Sequence, residues 1–163
     1  FNVIGIDNVK EMIEKGKENS IKRGFNIDFY LQDIIACSFP DRYFDYAMLS
    51  AHIYGTIPTK KKHIEFLKNI RKFLKAGGKF FFTFHIANSY PKDRRFLNLF
   101  KFNLLKVIAY TTFGNIGYQY GDKITYDGEF HHSFSDKQEV YSEIKAAGFR
   151  EIELEDSYAV VTP

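Results

Sequence analysis

Two acidic side chains follow predicted β-strands directly, where a ligand can reach them. A short apolar run, residues 1–6, ends on Asp7, and the run Ile27–Leu31 is followed by Gln32 and Asp33. Apolar runs of this length are typical of strands buried in a parallel sheet, and ligands bind outside the carboxyl ends of such strands. A carboxylate in that place can accept hydrogen bonds from two neighbouring hydroxyl groups of a ligand.

A structural role for these carboxylates stays open. Asp7 can instead cap the helix that follows it, because the helix dipole favours a negative charge there. Asp33 can be a turn former, since Asp side chains accept hydrogen bonds from the backbone two residues on. Asp45 begins a predicted strand rather than ending one, so we expect it to be structural.

Three histidines occupy positions suited to proton transfer. His52 follows a predicted strand, His85 ends the next one, and His131 lies on a predicted hairpin beside His132. Histidine can act as a general base near neutral pH if it reaches the proton to be removed. A structural role is the alternative for each. Because adjacent residues of a strand point to opposite faces, and because no Cys/His cluster is present, we expect no metal site.

Strands alternate with helices through the first half of the chain. The pattern predicts a helix at residues 8–23, capped by Asn8, and strands at 44–50 and 79–84. Between these strands, Thr59 caps a long amphipathic helix that we expect to end at Gly77-Gly78. Strands joined by helices in this way indicate βαβ units and a parallel sheet.

The middle of the chain, residues 86–134, breaks that alternation. An apolar stretch at 96–113 has helical tendency, and Asp127-Gly128 predicts the turn of a β-hairpin. The aromatic residues at 90–134 could form a substrate pocket and hold a cationic ligand there. Alternatively, they could pack as a second small core. Ser135 to Gln138 resembles a capping box that opens a final helix, and strands at 150–154 and 158–161 follow as an antiparallel pair.

Composition limits the class of protein. The 163 residues fit a single domain, and a net charge of +3 with no basic tract argues against a nucleic-acid partner. Cys37 is the only cysteine, which excludes an internal disulfide and favours a reducing compartment, the cytoplasm. No apolar stretch reaches the length of about 20 residues that spans a membrane. The oligomeric state is left open.

In residues 1–85 and 135–161 the chain resembles the class I methyltransferases that use S-adenosylmethionine. The resemblance implies an α/β fold: a Rossmann-like, mostly parallel sheet with helices on both faces and an antiparallel C-terminal strand pair. Residues 86–134 would then form a lid over the substrate, inserted after the family's fifth strand into a single domain, 1–163. The motifs that carry the likeness are Val3-Ile4-Gly5-Ile6-Asp7 with Met12-Ile13, Phe39-Pro40-Asp41 before Phe44-Asp45, Leu74-Lys75-Ala76-Gly77-Gly78-Lys79, and Ala147-Gly148-Phe149.

The same resemblance implies a function and a set of binding residues. The expected reaction is transfer of the methyl group of S-adenosylmethionine to a small-molecule acceptor by in-line displacement, with His52, His85 and His131 as candidate catalytic residues. Asp7 would bind the ribose hydroxyls and Asp33 the adenine amino group. The other residues expected to contact the cofactor are Asn8, Met12, Ile34, Ser50 and Ala51.

The chain departs from the family pattern in two places. Ala76 replaces the proline that usually precedes the double glycine. The glycine-rich loop that follows the family's first strand is absent, so we expect a chain truncated at its N-terminus that lacks this first strand and its helix.

Two other functions are compatible with the pattern. A nicotinamide-dependent Rossmann oxidoreductase would also place an acid after its second strand, although the pattern of Asp33 with Phe44-Asp45 is not expected in that class. A non-catalytic interaction domain derived from a methyltransferase is the other alternative.

Overall fold

The computed structural model describes most of the chain as two compact units, Phe1–Phe39 and Pro40–Pro163. The predicted single domain with a lid at 86–134 stays a prediction. The described residues are 1–87, 100, 103–104, 106–108, 110–111, 119, 121–124, 126 and 128–163.

The first unit is a βαβ unit, as the sequence predicts. Strand β1 (Val3–Asp7) leads into helix α1 (Lys10–Lys22), and strand β2 (Ile27–Leu31) pairs with β1 in parallel. The Phe29 ring packs against two glycines: a Cβ atom would lie 2.8 Å from this ring at Gly5 and 2.7 Å from it at Gly16. These glycines therefore let one aromatic ring fill the space between strand and helix.

The expected cap of α1 at Asn8 is wrong. The N-cap residue is Val9, whose side chain makes no capping hydrogen bond. The Asp7 carboxylate instead accepts a hydrogen bond from the Val9 N–H at 2.8 Å. The carboxylate two residues before the N-cap thus supplies the acceptor at the start of the helix, because a valine side chain has none.

The second unit is built on a four-stranded sheet. Strands β3 (Phe44–Leu49) and β4 (Leu74–Thr83) pair in parallel, and β8 (Tyr158–Thr162) pairs antiparallel with both β4 and β7 (Glu151–Leu154). The strand order is β3-β4-β8-β7. The parallel pair and the closing antiparallel pair both match the sequence-based expectation.

Alternate residues of β4 and the segment that follows it build the core of this unit. Phe80, Phe82 and Phe84 are each no more than 1% exposed, as period-two alternation requires. The Tyr54 ring contacts Phe82 at 4.7 Å and stacks on Phe134 at 5.5 Å between ring centroids. Burying each aromatic ring stabilises the fold by roughly 1.5–3 kcal/mol.

Helix α2 (Lys60–Phe73) ends earlier than predicted. The Thr59 hydroxyl accepts from the Lys62 N–H, as expected of a cap, but Leu74 already belongs to β4. The register of β4 against β3 then shifts before Lys79, and Gly77 has a φ of +76° within that irregular stretch. The double glycine therefore makes a turn inside β4 rather than at the end of the helix.

The predicted hairpin and last helix are both present, but the two-residue turn expected at Asp127-Gly128 is wrong, because Ile124 pairs with Phe130 and not with His131. Strands β5 (Asp122–Ile124) and β6 (Phe130–His132) pair antiparallel, and helix α3 (Lys137–Ala146) follows. The cap of α3 is Asp136, not Ser135: its side chain accepts from the Glu139 N–H at 3.0 Å. Of the predicted helix at 96–113, the described residues are helical and exposed, and the others lie outside the described residues. In the part of the chain that is described, no helix has the length and apolar character needed to cross a membrane.

Candidate functional site

Asp7 and Asp33 lie at the same edge of the β1–β2 pair. The two strands run parallel with Asp7 beside Leu31, and the Gln32 N–H donates to the Asp7 carbonyl at 2.9 Å. One oxygen of each carboxylate is used locally, since Asp7 Oδ1 accepts from the Val9 N–H and Asp33 Oδ1 from the Ile35 N–H, both at 2.8 Å. Neither Oδ2 atom accepts a hydrogen bond from a described residue. The structural interpretation therefore accounts for one oxygen of each side chain and leaves the other for a ligand.

The other residues expected to contact the cofactor in this unit flank these carboxylates. Asn8 is exposed and follows Asp7 directly, and Met12, on the first turn of α1, is 54% exposed. Ile34 is half-buried, and its carbonyl accepts from the Cys37 thiol at 3.2 Å. Burial is the main reason that the pKa of the Cys37 thiol is raised. The raised pKa favours the neutral thiol, which is consistent with a structural role for Cys37.

In the second unit, a strained loop follows β3. Ala51 and His52 both have left-handed backbone angles, with φ of 56° and 57°. A left-handed conformation costs a residue with a Cβ atom roughly 1–2 kcal/mol. The His52 N–H donates to the hydroxyl of Thr83, at the end of β4, at 2.9 Å. Backbone strain that the neighbouring structure supports in this way is a feature of functional loops, and here it holds the exposed residues Ser50, Ala51 and His52.

The three candidate catalytic histidines, His52, His85 and His131, come together in the second unit. The ring centroids of His52 and His85 are 6.3 Å apart, and those of His85 and His131 are 6.5 Å apart. Backbone pairing fixes this arrangement, because the Phe134 N–H donates to the His85 carbonyl at 2.9 Å. We call His52, His85 and His131 the histidine cluster.

The environment of the cluster keeps two of its members neutral. Burial lowers the pKa of His85, and the positive charges of Lys123 and His52 lower it further. Burial is also the main cause of the lowered pKa of His131, to which Lys123 and the neighbouring histidines add. A histidine with a lowered pKa is in its unprotonated, base-competent form at neutral pH.

The geometry does not suit a metal ion. Imidazole nitrogens that share a zinc ion lie about 2.0–2.1 Å from it, which requires closer rings than the 6.3 and 6.5 Å seen here. Among the described residues no group of three His, Cys, Asp or Glu side chains is arranged to hold a metal.

His132, the neighbour of His131, has a structural role on the other face of the hairpin. Its Nδ1 atom lies 2.7 Å from Asp122 Oδ1 and its Nε2 atom 3.5 Å from Glu139 Oε1. Burial alone would lower the pKa of His132, but its hydrogen bonds to Glu139 and Asp122 outweigh burial and raise it. We call His132, Asp122 and Glu139 the buried ion trio.

A second buried polar group lies at the base of the 3₁₀ helix (Ile53–Thr56). The Tyr54 hydroxyl donates to Glu143 Oε2 at 2.7 Å, and His63 Nδ1 lies 3.2 Å from the same oxygen. His63 Nε2 donates to the Ile57 carbonyl at 2.7 Å. All polar atoms of these side chains are thereby paired, as burial requires.

Sequence reasoning missed both buried polar groups and two residues beside the histidine cluster. Thr83 could have been found as a polar residue near the end of β4, as His85 was. Lys123 could have been found from the hairpin register, which places it opposite His131. His63 and Glu143 gave no signal, since they are 80 residues apart and each sits on an ordinary amphipathic helix. Of the aromatic residues proposed for a pocket, Tyr110 and Tyr126 are 76% and 104% exposed, and Tyr90, Phe113, Tyr118 and Tyr120 lie outside the described residues.

Comparison with known proteins identifies the domain type of the first half of the chain. Residues 1–78 match a family described as a methyltransferase domain. No curated protein matches the chain significantly.

Solved structures of the same fold cover nearly all of the chain. A SAM-dependent methyltransferase from Methanosarcina mazei is 21% identical, with a TM-score of 0.71 over 99% of this chain and 80% of that one. A protein from Pyrococcus horikoshii is 21% identical, with a TM-score of 0.63 over 100% and 72%. An S-adenosylmethionine-dependent methyltransferase from Clostridium acetobutylicum is 13% identical, with a TM-score of 0.66 over 99% and 75%. These likenesses confirm the expected Rossmann-like α/β fold, and they give no support to an oxidoreductase or a non-catalytic domain.

Proposed function

On the premise that residues 1–78 match a methyltransferase domain, we propose that this protein methylates a small molecule with S-adenosylmethionine as the methyl donor. The observation that carries the proposal is the edge of the β1–β2 pair, where two carboxylates each keep one oxygen available. S-adenosylmethionine supplies an electrophilic methyl group, which the acceptor takes by in-line displacement. The protein's task is to position the two reactants.

The available carboxylate oxygens fit the polar groups of this cofactor. Asp7 Oδ2 would accept from the ribose hydroxyls, and Asp33 Oδ2 from the adenine amino group, because ionised carboxylates are acceptors only. Met12 is exposed beside them and would cover the adenine with an adaptable apolar side chain. Asn8 and Ile34 complete the proposed contacts of the first unit.

In the second unit, the strained loop carries the proposed contacts of the methionine part. We propose Ser50 and Ala51 for these contacts because they lie in the loop that the hydrogen bond from the His52 N–H to the Thr83 hydroxyl fixes. His52, the next residue along the chain, belongs to the histidine cluster. We assign to this cluster the removal of a proton from the acceptor. Neutral His85 can accept that proton at pH 7, since burial and the neighbouring cations lower its pKa.

Replacing each member of the histidine cluster by Gln tests this assignment. Release of S-adenosylhomocysteine is measured over a panel of small acids, amines and phenols, and kcat and KM are determined for the best acceptor. We expect loss of the base to lower kcat by about 10²–10⁴-fold while cofactor affinity is unchanged. Because the lowered pKa values leave the rings unprotonated down to below pH 6.5, the acidic limb of the kcat profile should lie below that pH.

His63→Gln is not a suitable control, since His63 lies in the core, whereas Lys68→Gln alters only an exposed position of α2. If no cluster variant changes kcat by more than the Lys68→Gln control does, the cluster is not the base. If no acceptor releases S-adenosylhomocysteine and the protein binds NADH instead, the methyltransferase proposal is replaced by the oxidoreductase alternative.

A further inference from the structure

The two faces of the hairpin differ in charge balance. Strand register places Asp122 opposite His132 and Lys123 opposite His131, and side chains of directly opposed residues lie on the same face. On the first face the histidine is paired with acids, as the 2.7 Å contact between His132 and Asp122 shows. On the second face no described acid forms an ion pair with Lys123, which is exposed.

The second face of the hairpin, with Lys123 and His131, adjoins the rest of the histidine cluster. The excess of positive over negative groups on this face includes the cluster. The rings of His131 and His85 are 6.5 Å apart. Every charged group that acts on His85 or His131 lowers its pKa, because each such group is a lysine or another histidine. Among the described residues the cluster thus has one ammonium group, three imidazoles and no balancing carboxylate.

The tautomer of His131 adds a hydrogen-bond donor to this surface. Its Nδ1 atom is buried without a hydrogen-bond partner, and the ring edge lies against Gly55, where a Cβ atom would meet His131 Cε1 at 3.1 Å and Nδ1 at 3.5 Å. Orphaned buried N–H groups are rarer than orphaned acceptors, so the proton of the neutral ring belongs on Nε2. The N–H group of neutral His131 is therefore on Nε2, and the buried Nδ1 carries the lone pair.

We propose that Lys123 and the His131 Nε2–H bind an anionic group of the methyl acceptor, a carboxylate or a phosphate. The ammonium group supplies the charge and the imidazole N–H the directed hydrogen bond, and charge-assisted bonds of this kind are about twice as strong as neutral ones. An anion held there brings the rest of the acceptor beside His85 and His52. The identification of the anion as the acceptor's rests on the proposed methyl transfer, and it disfavours the cationic acceptor that the aromatic content of residues 90–134 suggests.

Histidine NMR of the unmodified chain tests the proposal. The chain has five histidines, and single His→Gln variants assign their ring signals. The probes are inorganic phosphate and benzoate, each compared with sodium chloride at equal ionic strength. Since a nearby anion favours the protonated ring, we expect phosphate, benzoate or both to raise the apparent pKa of His85 and His131 by about half a unit or more. His63 and His132, which are buried and already paired, should not respond.

Three variants of exposed lysines make the test specific. Lys123→Gln should abolish the response and Lys123→Arg should keep it, whereas Lys68→Gln, a neutralised lysine on the exposed face of α2, should keep it in full. A response to phosphate alone, or to benzoate alone, identifies the anion. No response beyond that to chloride, or an undiminished response in Lys123→Gln, would overturn the proposal.

Binding of S-adenosylhomocysteine to the same samples separates this proposal from the function on which it rests. Cofactor binding without an anion response contradicts the anion site and leaves methyl transfer standing. An anion response in a protein that binds no S-adenosylhomocysteine supports the anion site and contradicts its assignment to a methyl acceptor.

Discussion

Adjacent histidines in this protein have opposite chemistry because they face opposite sides of one strand. His131 lies among cations, and its pKa is lowered, mainly by burial. His132 lies among acids, and its pKa is raised against the effect of burial. The surroundings of His131 therefore favour the neutral ring, whereas those of His132 favour the protonated ring.

The buried ion trio makes stability depend on pH. Burial alone would raise the pKa of Glu139, but its bonds to His132 and Ser135 lower it to about 2. The folded state therefore gains stability from this carboxylate above the unfolded pKa, near 4.5, and loses that gain as pH falls toward 2. His132 behaves in the opposite sense: its contribution is complete below pH 6.5 and is lost as pH rises through its raised pKa.

Urea unfolding between pH 3 and pH 9 measures this dependence. We expect the free energy of unfolding to have a maximum between about pH 4.5 and pH 6.5, and the contribution of the trio to be of the order of 2 kcal/mol. His132→Gln should flatten the curve, whereas His52→Gln, at an exposed position, should not. A curve of unchanged shape in His132→Gln would show that the trio does not act as a charged unit.

The sequence predicts the position of a residue in the fold where a strand end alone places it. Asp7, Asp33, His52 and His85 were singled out because each comes at the end of an apolar run, and each lies at or just after the end of a strand. Glu139 and Asp122 were not found as partners of His132, since only the folded hairpin and helix bring them together. Spacing along the chain carries no information on such tertiary pairs.

At the scale of elements, the position of the hairpin depends on a close approach at Gly55. A Cβ atom there would lie 2.6 Å from the His132 carbonyl oxygen, which is a backbone atom that can move only with β6. The 3₁₀ helix and β6 are thus held at a separation that only glycine allows. This contact fixes the place of His131 relative to the other members of the histidine cluster.

Gly55→Ala should therefore displace the hairpin. We expect a loss of about 1–3 kcal/mol in the free energy of unfolding, the usual effect of overpacking, together with shifted NMR signals of His131 and His132. Gly77→Ala is the control: its φ is +76° but its Cβ would meet no atom within 4 Å, so it should lower stability without moving either histidine signal. Equal effects of the two variants on the histidine signals would refute the close-approach account.

Element types were more predictable than element ends. The alternation of strands and helices and the presence of an antiparallel pair between residues 122 and 132 follow from local patterns, although the register of that pair was not predicted. The end of α2 was misplaced because Leu74 continues the apolar stripe of the helix, yet tertiary pairing with Phe44 draws it into β4. The cap of α3 lies one residue later than predicted, at Asp136. The Ser135 N–H donates to Glu139 Oε2 at 2.8 Å, so Ser135 precedes the capping position.

At the scale of the whole molecule, the Rossmann-like fold was predictable because several moderate motifs occur in the family's order. The fold alone does not determine the reaction, since function resides in the site. The proposed methyl transfer therefore depends on the β1–β2 edge for the cofactor and on the histidine cluster, with Lys123, for the acceptor. The first of these is the central claim.

Calorimetric titration of S-adenosylhomocysteine tests that claim most directly. It should be made on the chain, on its Asp7→Asn variant and, as a matched control, on Asp28→Asn, which changes an exposed Asp of β2 that makes no local hydrogen bond among the described residues. We predict that the unaltered chain binds this ligand and that Asp7→Asn alone loses about 1.5–3 kcal/mol, roughly 10- to 150-fold in affinity. Equal affinity of the Asp7→Asn and Asp28→Asn proteins, or no binding by any of them, would contradict the account.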